Sequence, residues 1–369
     1  MRERSIPVRL GSRSYRARVA PRGVPLVAAA LARLGDRAVV VTDANVRRAV
    51  WPLVAAALAE RGGHVPEPIV IPAGERSKSL HTLGRVQAAM LRRGIDRSGC
   101  VLALGGGVVL DVAGFAAATY MRGIDWLAVP TSLLGMVDAA LGGKVAVDLD
   151  STKNVVGAFH QPRAVLVGAD FLRTLPGRER CNGLAEVVKY GLIADRRLFA
   201  AIERRPGTFR RSRPLQDAAW IARCLRIKAR IVADDEREAG GRAVLNFGHT
   251  IGHALEARRG TCLLHGEAVA LGMLAACALA EDLGVAREPL VSRLRPVLRH
   301  LGLPTAVPRG VSVQELRRQW RRDKKAAGGQ PRFVLTPRIG AASLGHCIPE
   351  PRVVQALRAI FEPRREPSP

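Results

Sequence analysis

The chain has 369 residues, 48% of them hydrophobic and only 4% aromatic, so it is long enough for two domains with cores of aliphatic side chains. No apolar run reaches the roughly 20 residues of a membrane-spanning helix, and no apolar signal core follows the charged N-terminal segment, so a cytoplasmic location is expected. The net charge of +26 comes from arginines spread along the chain, not from a basic tail, which leaves nucleic-acid binding as a minor alternative. The six cysteines are scattered without framework spacing, as expected of reduced thiols.

Strand and helix patterns alternate through the first hundred residues. A helix-forming run ends at Gly35, a strand over 37–46 leads into a turn at Asp43, and two more helices end at Gly62 and Gly94. This alternation predicts an N-terminal α/β domain with a parallel, Rossmann-like sheet.

A glycine triplet follows the next buried strand. The strand is predicted over Val101–Leu104, the loop over Gly105–Gly107, and a helix runs through Asp111. Bare backbone amides at a helix N-terminus suit a phosphate or pyrophosphate. The GxGxxG fingerprint is absent, however, so an ordinary tight turn is an equally good interpretation of the triplet alone.

The stretch from Trp126 to Asn154 is the second region dense in signals. It predicts a strand, a Pro-Thr-Ser turn, a helix that contains Asp138, and a sharp corner at Gly142-Gly143-Lys144. Lys153 follows nine residues after Lys144. Charges among apolar runs must be satisfied by one another or by a ligand.

Lysine usage supports that interpretation. The chain has 51 arginines and only seven lysines, so the lysines are candidates for positions where a guanidinium cannot perform the same function. An ammonium is a compact charge that can donate to tetrahedral oxygens and can release a proton. The alternative is that these lysines remain on the surface by chance. It predicts that they lie at random positions, yet most of the seven lie in stretches rich in glycine or histidine.

The predicted secondary structure changes near residue 176. From Cys181 to Leu303 long helical patterns replace the strands, and a basic loop, a short hairpin and a frayed C-terminal tail follow. We therefore predict an α/β domain over 1–176 and an all-α domain over 177–369.

The helical half contains a histidine-rich stretch. His249 and His253 are four residues apart and share a helix face, and His265 follows nearby. Glu186, with Lys189 three residues later, is the upstream carboxylate best suited to complete a divalent-metal site. Alternatively, one histidine caps or packs a helix and the others are solvated.

A family resemblance connects these stretches. Ordered motifs between roughly residues 40 and 345 resemble those of 3-dehydroquinate synthases, of the sugar-phosphate cyclase group. The motifs are GGGVxxDxAGFxAATYMRG, VPTSLLxMVDxxxGGK, KNxxGAFxQP, TLPxRE, GLAEVxKYG, DExExGxRxxLNxGHTxGHAxEA, HGEAVAxGM and DKKxxGG.

The resemblance implies a nucleotide-binding α/β domain, a helical metal-binding domain, and an active site between them. It implies conversion of 3-deoxy-D-arabino-heptulosonate 7-phosphate to 3-dehydroquinate and phosphate, within the shikimate pathway to chorismate and the aromatic amino acids. The implied cofactors are NAD⁺, reduced and reoxidised in each turnover, and one divalent metal, Zn²⁺ or Co²⁺. The implied assembly is a homodimer, with no nucleic-acid or membrane partner.

The resemblance also assigns site residues, and it moves His253 from the metal to the phosphate side. The implied metal ligands are Glu186, His249 and His265. The implied phosphate contacts are Lys144, Asn154, Asn246, His253, Lys324 and Lys325, with Arg122 contributed by a partner subunit. The implied carboxylate clamp is Lys228 with Arg242, and the implied contacts to ring hydroxyls and metal-side oxygens are Asp138 and Lys189. The implied NAD⁺ contacts are Asp43, Asn45, Glu75, Lys78, Gly106, Gly107, Val108, Asp111, Thr131, Ser132, Lys153, Phe171 and Thr174.

Three positions depart from the family pattern, namely Leu110, Asp148 and the pair Ser151-Thr152, and they affect the expected nucleotide pose. Two enzyme alternatives stay open. One is a sister cyclase, such as an aminodehydroquinate synthase. The other is a metal-dependent alcohol dehydrogenase of similar architecture, which would release NADH.

Overall fold

The computed structural model describes residues 3–150, 152–257, 262–320 and 332–361. The chain forms two compact units, Met1–Pro176 with Ser212–Arg237, and Gly177–Arg211 with Glu238–Pro369. The sequence-based division assigned all of 177–369 to the helical half. That assignment differs from the structure in one segment, because 212–237 packs with the sheet of the first unit.

The strands are β1 (Arg4–Val8), β2 (Tyr15–Ala20), β3 (Ala38–Asp43), β4 (Ile69–Ile71), β5 (Cys100–Gly105), β6 (Asp125–Pro130), β7 (Lys144–Leu149), β8 (Thr152–Phe159), β9 (Ala164–Gly168), β10 (Arg332–Arg338) and β11 (Ala341–Cys347). The helices are α1 (Val24–Leu34), α2 (Ala44–Ala49), α3 (Trp51–Ala59), α4 (Leu80–Arg92), α5 (Gly107–Thr119), α6 (Gly177–Ala194), α7 (Arg196–Arg204), α8 (Pro206–Arg210), α9 (Pro214–Asp234), α10 (His249–Glu256), α11 (His265–Asp282), α12 (Val291–Leu301), α13 (Val313–Trp320) and α14 (Glu350–Phe361).

The first unit is built on a mixed sheet in the order β1-β2-β9-β6-β5-β3-β4. Every pairing is parallel except β1 with β2, which confirms the predicted parallel-type sheet. The inner strands are continuously apolar because both faces of such a sheet are covered, and all six residues of β5 are buried. Helix α9 packs against β1 and β2.

The sheet has a topological switch point between β3 and β5. After β3 the chain adds β4 on one side and then returns to place β5 on the other side of β3. The loops after β3 and β5 therefore diverge and leave a crevice at the carboxyl ends of the strands, where open α/β sheets bind their ligands. Thr42 ties the two strand ends together by donating from Oγ1 to the Leu104 carbonyl at 2.7 Å.

Some elements of this unit were not predicted. Strands β1 and β9 have only five residues each, and β1 and β2 contain arginines that interrupt an apolar pattern. The antiparallel hairpin β7–β8 follows the Gly142-Gly143 corner, where both glycines have positive φ. The helix expected after the Pro-Thr-Ser turn contains a π-helical turn at Gly135–Ala139. The predicted turn at Asp43 is the start of α2, whose first amides the Asp43 carboxylate caps.

Helix α11 is the centre of the second unit. It is apolar around its whole circumference, as expected of a helix that is surrounded by protein. It packs against α6, α10, α14 and β10. The hairpin β10–β11 is the one expected near the end of this half. Among the described residues, no helix is both long and apolar enough to cross a membrane.

Candidate active site

Three side chains of the second unit converge on one point. Glu186 comes from α6, His249 opens α10 and His265 opens α11. Glu186 Oε1 lies 3.7 Å from His249 Nε2 and 3.6 Å from His265 Nε2, and the candidate ligand atoms all lie within 4.8 Å of one another. Two imidazole nitrogens and one carboxylate oxygen are the donors that Zn²⁺ binds in catalytic sites, which keep a further position open.

The second carboxylate oxygen of this centre faces Lys189. The Glu186 side chain is fully buried, and its Oε2 pairs with the buried Lys189 ammonium one helical turn later. Burial and the nearby ammonium lower the pKa of His249 to about 3. His249 is therefore a neutral imidazole at physiological pH, which is the form that ligates metals.

Both histidine rings are held by their Nδ1 atoms. His249 Nδ1 lies 3.1 Å from the Phe247 carbonyl oxygen, and His265 Nδ1 lies 3.3 Å from Glu256 Oε2. Burial alone would lower the pKa of His265, but its hydrogen bonds with Glu186 and Glu256 outweigh burial and raise it. In both rings Nε2 is left pointing toward Glu186.

The His-Gly-Glu sequence explains how His265 is placed. Glu267 accepts from the Leu264 amide at 2.9 Å and forms a bidentate pair with Arg178 at 2.7 and 2.8 Å, which fixes the first turn of α11. Between them, the Gly266 amide donates to Asn182 Oδ1 at 2.5 Å. A Cβ at Gly266 would lie 1.9 Å from the Asn182 carbonyl oxygen, so α6 and α11 can meet here only at a glycine.

The other predicted residues of this unit lie around the same stretch. The ring of His253 is exposed, with its centroid 5.3 Å from that of His249 and 6.4 Å from that of His265. Asn246 donates from Nδ2 to Glu238 Oε1 at 2.6 Å, and Arg242 is buried. Lys324 and Lys325 lie outside the described residues.

In the first unit, the predicted nucleotide contacts gather at the carboxyl edge of the sheet. They follow four parallel strands, β3, β5, β6 and β9. These residues are Asp43 and Asn45, then Gly106, Gly107, Val108 and Asp111, then Thr131 and Ser132, then Phe171 and Thr174. The predicted residues thus lie along one edge of the sheet, with those after β3 and β5 on either side of the switch point.

The glycine loop after β5 leads directly into α5. Gly106 is the residue before the helix and has no side chain to cap it, so the first amides of α5 are accessible to a ligand. A Cβ at Gly105 would lie 2.5 Å from Val109, so that glycine is required by packing. A Cβ at Gly106 would lie 3.5 Å from Ser132 Oγ, so the loops after β5 and β6 are adjacent.

A cluster of charges borders this loop. The buried Lys78 ammonium pairs with Asp111 on α5, and Lys153 Nζ lies 3.5 Å from Glu75 Oε1. The Asp148 amide donates to the Lys78 carbonyl at 2.9 Å, which ties the β7–β8 hairpin to this segment.

Asp148, one of the departures from the family pattern, has a local role. Its Oδ1 accepts from the Asn154 amide at 2.8 Å and supports the left-handed backbone of Asn154, whose φ is 54°.

The predicted substrate residues of the first unit lie on several elements. Lys228 of α9 is buried and donates from Nζ to the carbonyl oxygen and to Oδ1 of Asp138, both at 2.6 Å. Lys144 is exposed at the start of β7. Arg122 has a φ of 67° directly after Met121 at 50°, so two side chains in succession adopt a left-handed backbone. Such strain concentrates at functional sites.

Sequence reasoning missed the residues that hold the ligands in place. These are Asn182, Glu256, Glu267 and Arg178. Helical spacing offered one signal, because Glu256 lies seven residues after His249 and on the same face of α10. Arg178 and Asn182 gave no signal, since the contacts that support α11 run from α6 to a helix distant in sequence.

The comparisons with known proteins agree with this architecture. Models of the 3-dehydroquinate synthase N-terminal and C-terminal domains match residues 68–182 and 183–326. A 3-dehydroquinate synthase of Synechococcus sp. is 41% identical over 97% of this chain and 99% of its own length. Another, of Symbiobacterium thermophilum, is 47% identical over 82% of this chain and 85% of its own length.

A solved structure is similar over nearly the whole chain. It is 2-epi-5-epi-valiolone synthase of Streptomyces hygroscopicus subsp. jinggangensis, with NAD⁺ and Zn²⁺ bound. The TM-score is 0.86 at 31% identity, with 93% of this chain and 95% of that chain covered. The fold is therefore that of the sugar-phosphate cyclases. Within that class, the chain belongs to the 3-dehydroquinate synthase family.

Proposed function

We propose that this protein is a 3-dehydroquinate synthase, a carbon–oxygen lyase that converts 3-deoxy-D-arabino-heptulosonate 7-phosphate to 3-dehydroquinate and phosphate. One structural observation carries the proposal, namely the cluster of buried Glu186 and His249 with half-buried His265 in a chain of this family. The proposed cofactors are NAD⁺ and one divalent metal, Zn²⁺ or Co²⁺.

The residues present fit a divalent metal. The cluster offers three protein donors, both histidines turn Nε2 toward Glu186, and Lys189 pairs with the oxygen that faces away from the histidines. When bound, the metal would polarise substrate oxygens and lower the pKa of the substrate hydroxyl.

The first unit fits NAD⁺. A pyrophosphate would fit the crevice at the switch point. Its hydrogen-bond donors would be the uncapped first amides of α5 and the hydroxyl of the adjacent Ser132. Bound NAD⁺ would accept and later return a hydride. Lys78 and Lys153 add positive charge for the nucleotide phosphates, and Asp111 and Glu75 hold these two ammoniums in place.

The chain's own residues bind and orient the substrate. We assign Lys144, Asn154, Asn246 and His253 to the phosphate, because their ammonium, amide and imidazole groups can donate to tetrahedral oxygens. Lys324 and Lys325 stay predicted members of this set.

We assign Lys228 and Arg242 to the substrate carboxylate. Asp138, which already accepts from the Lys228 ammonium, and Lys189 are assigned to the ring hydroxyls and the metal-side oxygens. Most of the work is then placement and charge stabilisation.

A homodimer is part of the proposal. Among the described strands, β8 pairs with β7 in a two-stranded antiparallel sheet. Val155 and Phe159 are exposed along it. Exposed apolar side chains on a hairpin suit contact with a second copy of the chain. The assignment of Arg122 to a partner's phosphate site and the cytoplasmic location stay predictions.

The second candidate is a sister cyclase. The similarity to 2-epi-5-epi-valiolone synthase favours it, at 31% identity over 93% of the chain. The predicted clamp of Lys228 and Arg242 argues against substrates without a carboxylate, whereas an amino analogue of the same acid would fit. An alcohol dehydrogenase is less well supported, since it needs no phosphate cradle.

The test is a turnover assay with the purified protein, NAD⁺, Zn²⁺ and the heptulosonate phosphate. We expect release of phosphate without accumulation of NADH, and no turnover after removal of the metal with a chelator. Accumulation of NADH with each turnover would identify a dehydrogenase. Parallel assays with the amino analogue and with a sugar phosphate that lacks the carboxylate would identify a sister cyclase.

A further inference from the structure

The side chain of Glu256 lies behind one of the two histidines of the candidate metal centre. Glu256 is the last residue of α10, and its side chain is only 8% exposed. Its Oε2 lies 3.3 Å from Nδ1 of His265, on the side of the ring opposite to Nε2, which lies 3.6 Å from Glu186 Oε1.

One short helix thus serves both histidines. The first residue of α10, His249, offers its own Nε2 to the centre, and the last residue supports the ring of His265 on α11. The two residues are seven positions apart, so they lie on the same face of α10. The helix fixes the position of one ligand and the orientation of the other at the same time.

The two rings are held by different kinds of group. His249 has the backbone carbonyl of Phe247 at its Nδ1, and no substitution can remove that oxygen. His265 has a side-chain carboxylate, which a substitution can remove. A carboxylate at the distal nitrogen fixes the tautomer and the ring orientation of a metal-bound histidine and makes its other nitrogen a stronger donor.

We propose that Glu256 is a positioning residue of the metal centre, whose carboxylate orients the His265 ring so that Nε2 is presented to the metal. This inference rests on the proposed function for the identity of the metal. It adds a residue that touches neither substrate nor cofactor. Loss of such a contact weakens metal binding by roughly 10- to 100-fold.

The test measures zinc affinity by competition with a chromophoric chelator, using full-length wild type, Glu256→Gln and Glu256→Ala. Glu256→Gln keeps an acceptor oxygen of the same shape but loses the charge, whereas Glu256→Ala removes the acceptor. The matched control is Glu281→Gln at the other end of α11. Glu281 Oε1 accepts from the amides of Leu290 and Val291 at 2.6 and 2.9 Å, so it supports the fold away from the centre.

We expect Glu256→Ala to bind zinc about 10- to 100-fold more weakly than wild type, with Glu256→Gln in between and Glu281→Gln unchanged. The rise in melting temperature on adding zinc should shrink in the same order, even if the variants differ in stability without metal. If Glu256→Ala does not fold, the isosteric Glu256→Gln decides alone, and wild-type affinity in it would overturn the proposal.

The outcomes separate this inference from the proposed function. If wild type itself does not bind zinc, the metal assignment fails. If wild type binds zinc and both Glu256 variants bind it within twofold of wild type, the metal assignment stands and the positioning role is wrong. An equal loss in Glu281→Gln would also overturn the positioning role, because the effect would then be one of general stability.

Discussion

Replacing Gly272 with alanine should damage both the packing of the second unit and its metal centre. Gly272 lies in the middle of α11, where a Cβ would come within 1.8 Å of the Gly248 carbonyl oxygen. The contact becomes ordinary only at 3.4 Å, so α10 and α11 would have to separate by about 1.6 Å. Gly248 is the residue directly before His249, and it already holds a left-handed backbone with a φ of 78°.

The expected size of the effect follows from two opposing terms. Overpacking against backbone, which cannot rotate away, costs about 3 kcal/mol, while the better helix propensity of alanine returns about 1 kcal/mol. The net loss of about 2 kcal/mol corresponds to a fall of about 4–8 °C in melting temperature for a unit of this size. His249 would move with Gly248 by much more than the roughly 0.2 Å tolerance of a metal–ligand distance, so zinc affinity should fall at least about tenfold.

The matched control is Gly84→Ala. Gly84 is also inside a helix, α4, but a Cβ there meets nothing within 4 Å. That substitution should raise stability by about 0.5–1 kcal/mol and leave zinc affinity unchanged. The assays are thermal unfolding of the metal-free proteins and zinc titration against a chelator. Wild-type stability together with wild-type zinc affinity in Gly272→Ala would refute the close approach of the two helices.

Three further predictions concern charged residues. Lys144→Arg should lower kcat by at least about 100-fold, because a planar guanidinium cannot replace the ammonium of Lys144. The melting temperature should not change, because Lys144 is exposed in the fold. Near-normal turnover would reject the assigned role. Lys189→Met should destabilise the metal-free protein in urea by up to about 3–5 kcal/mol, since it removes the ammonium that pairs with the buried Glu186 carboxylate and leaves only the histidines to compensate it. Combining it with Glu186→Gln should recover most of the loss, and an additive double variant would contradict this. The hydrogen bond from Arg13 lowers the pKa of Glu236, so the stabilisation it gives is present above the ordinary glutamate pKa and is lost as the pH falls through the lowered pKa. The melting temperature of wild type should exceed that of Glu236→Gln at pH 7, and the difference should shrink as the pH is lowered; a constant difference would count against the coupling.

The sequence predicted the parallel sheet well because the hydrophobic runs of β3 and β5 carry their own signal. It did not predict that α9 packs with that sheet, since an amphipathic pattern shows that a helix has a buried face but not which layer covers it. The β7–β8 hairpin was missed for another reason. Its turn at Asp150 relies on a left-handed aspartate, with a φ of 53°, and not on the glycine or asparagine that usually marks a hairpin.

Within the candidate site, the residues that offer ligand atoms could be predicted, whereas those that aim them could not. The pair of histidines four residues apart and the following His-Gly-Glu carry local signals, but the pair alone favoured His253, which is not in the cluster of Glu186, His249 and His265. The seven-residue spacing places Glu256 on the face of His249, but its support of His265 depends on where α11 meets α10, which that spacing does not specify. Asn182 is similar, because its Oδ1 receives the Gly266 amide only once α6 and α11 are packed.

The spacing in Gly-His-Thr-Ile-Gly-His follows from two requirements on one helix. Gly248 and Gly252 are four residues apart and face α11, where a Cβ at Gly252 would lie 3.3 Å from the Ala268 carbonyl oxygen and the Val269 backbone. Each histidine is one residue later and so lies about 100° further around the helix. The glycine face lets the backbones of α10 and α11 meet, and this contact brings His249 to the start of α11. Larger residues at the glycine positions would leave the histidine pattern intact and move its ligand atoms out of reach of His265.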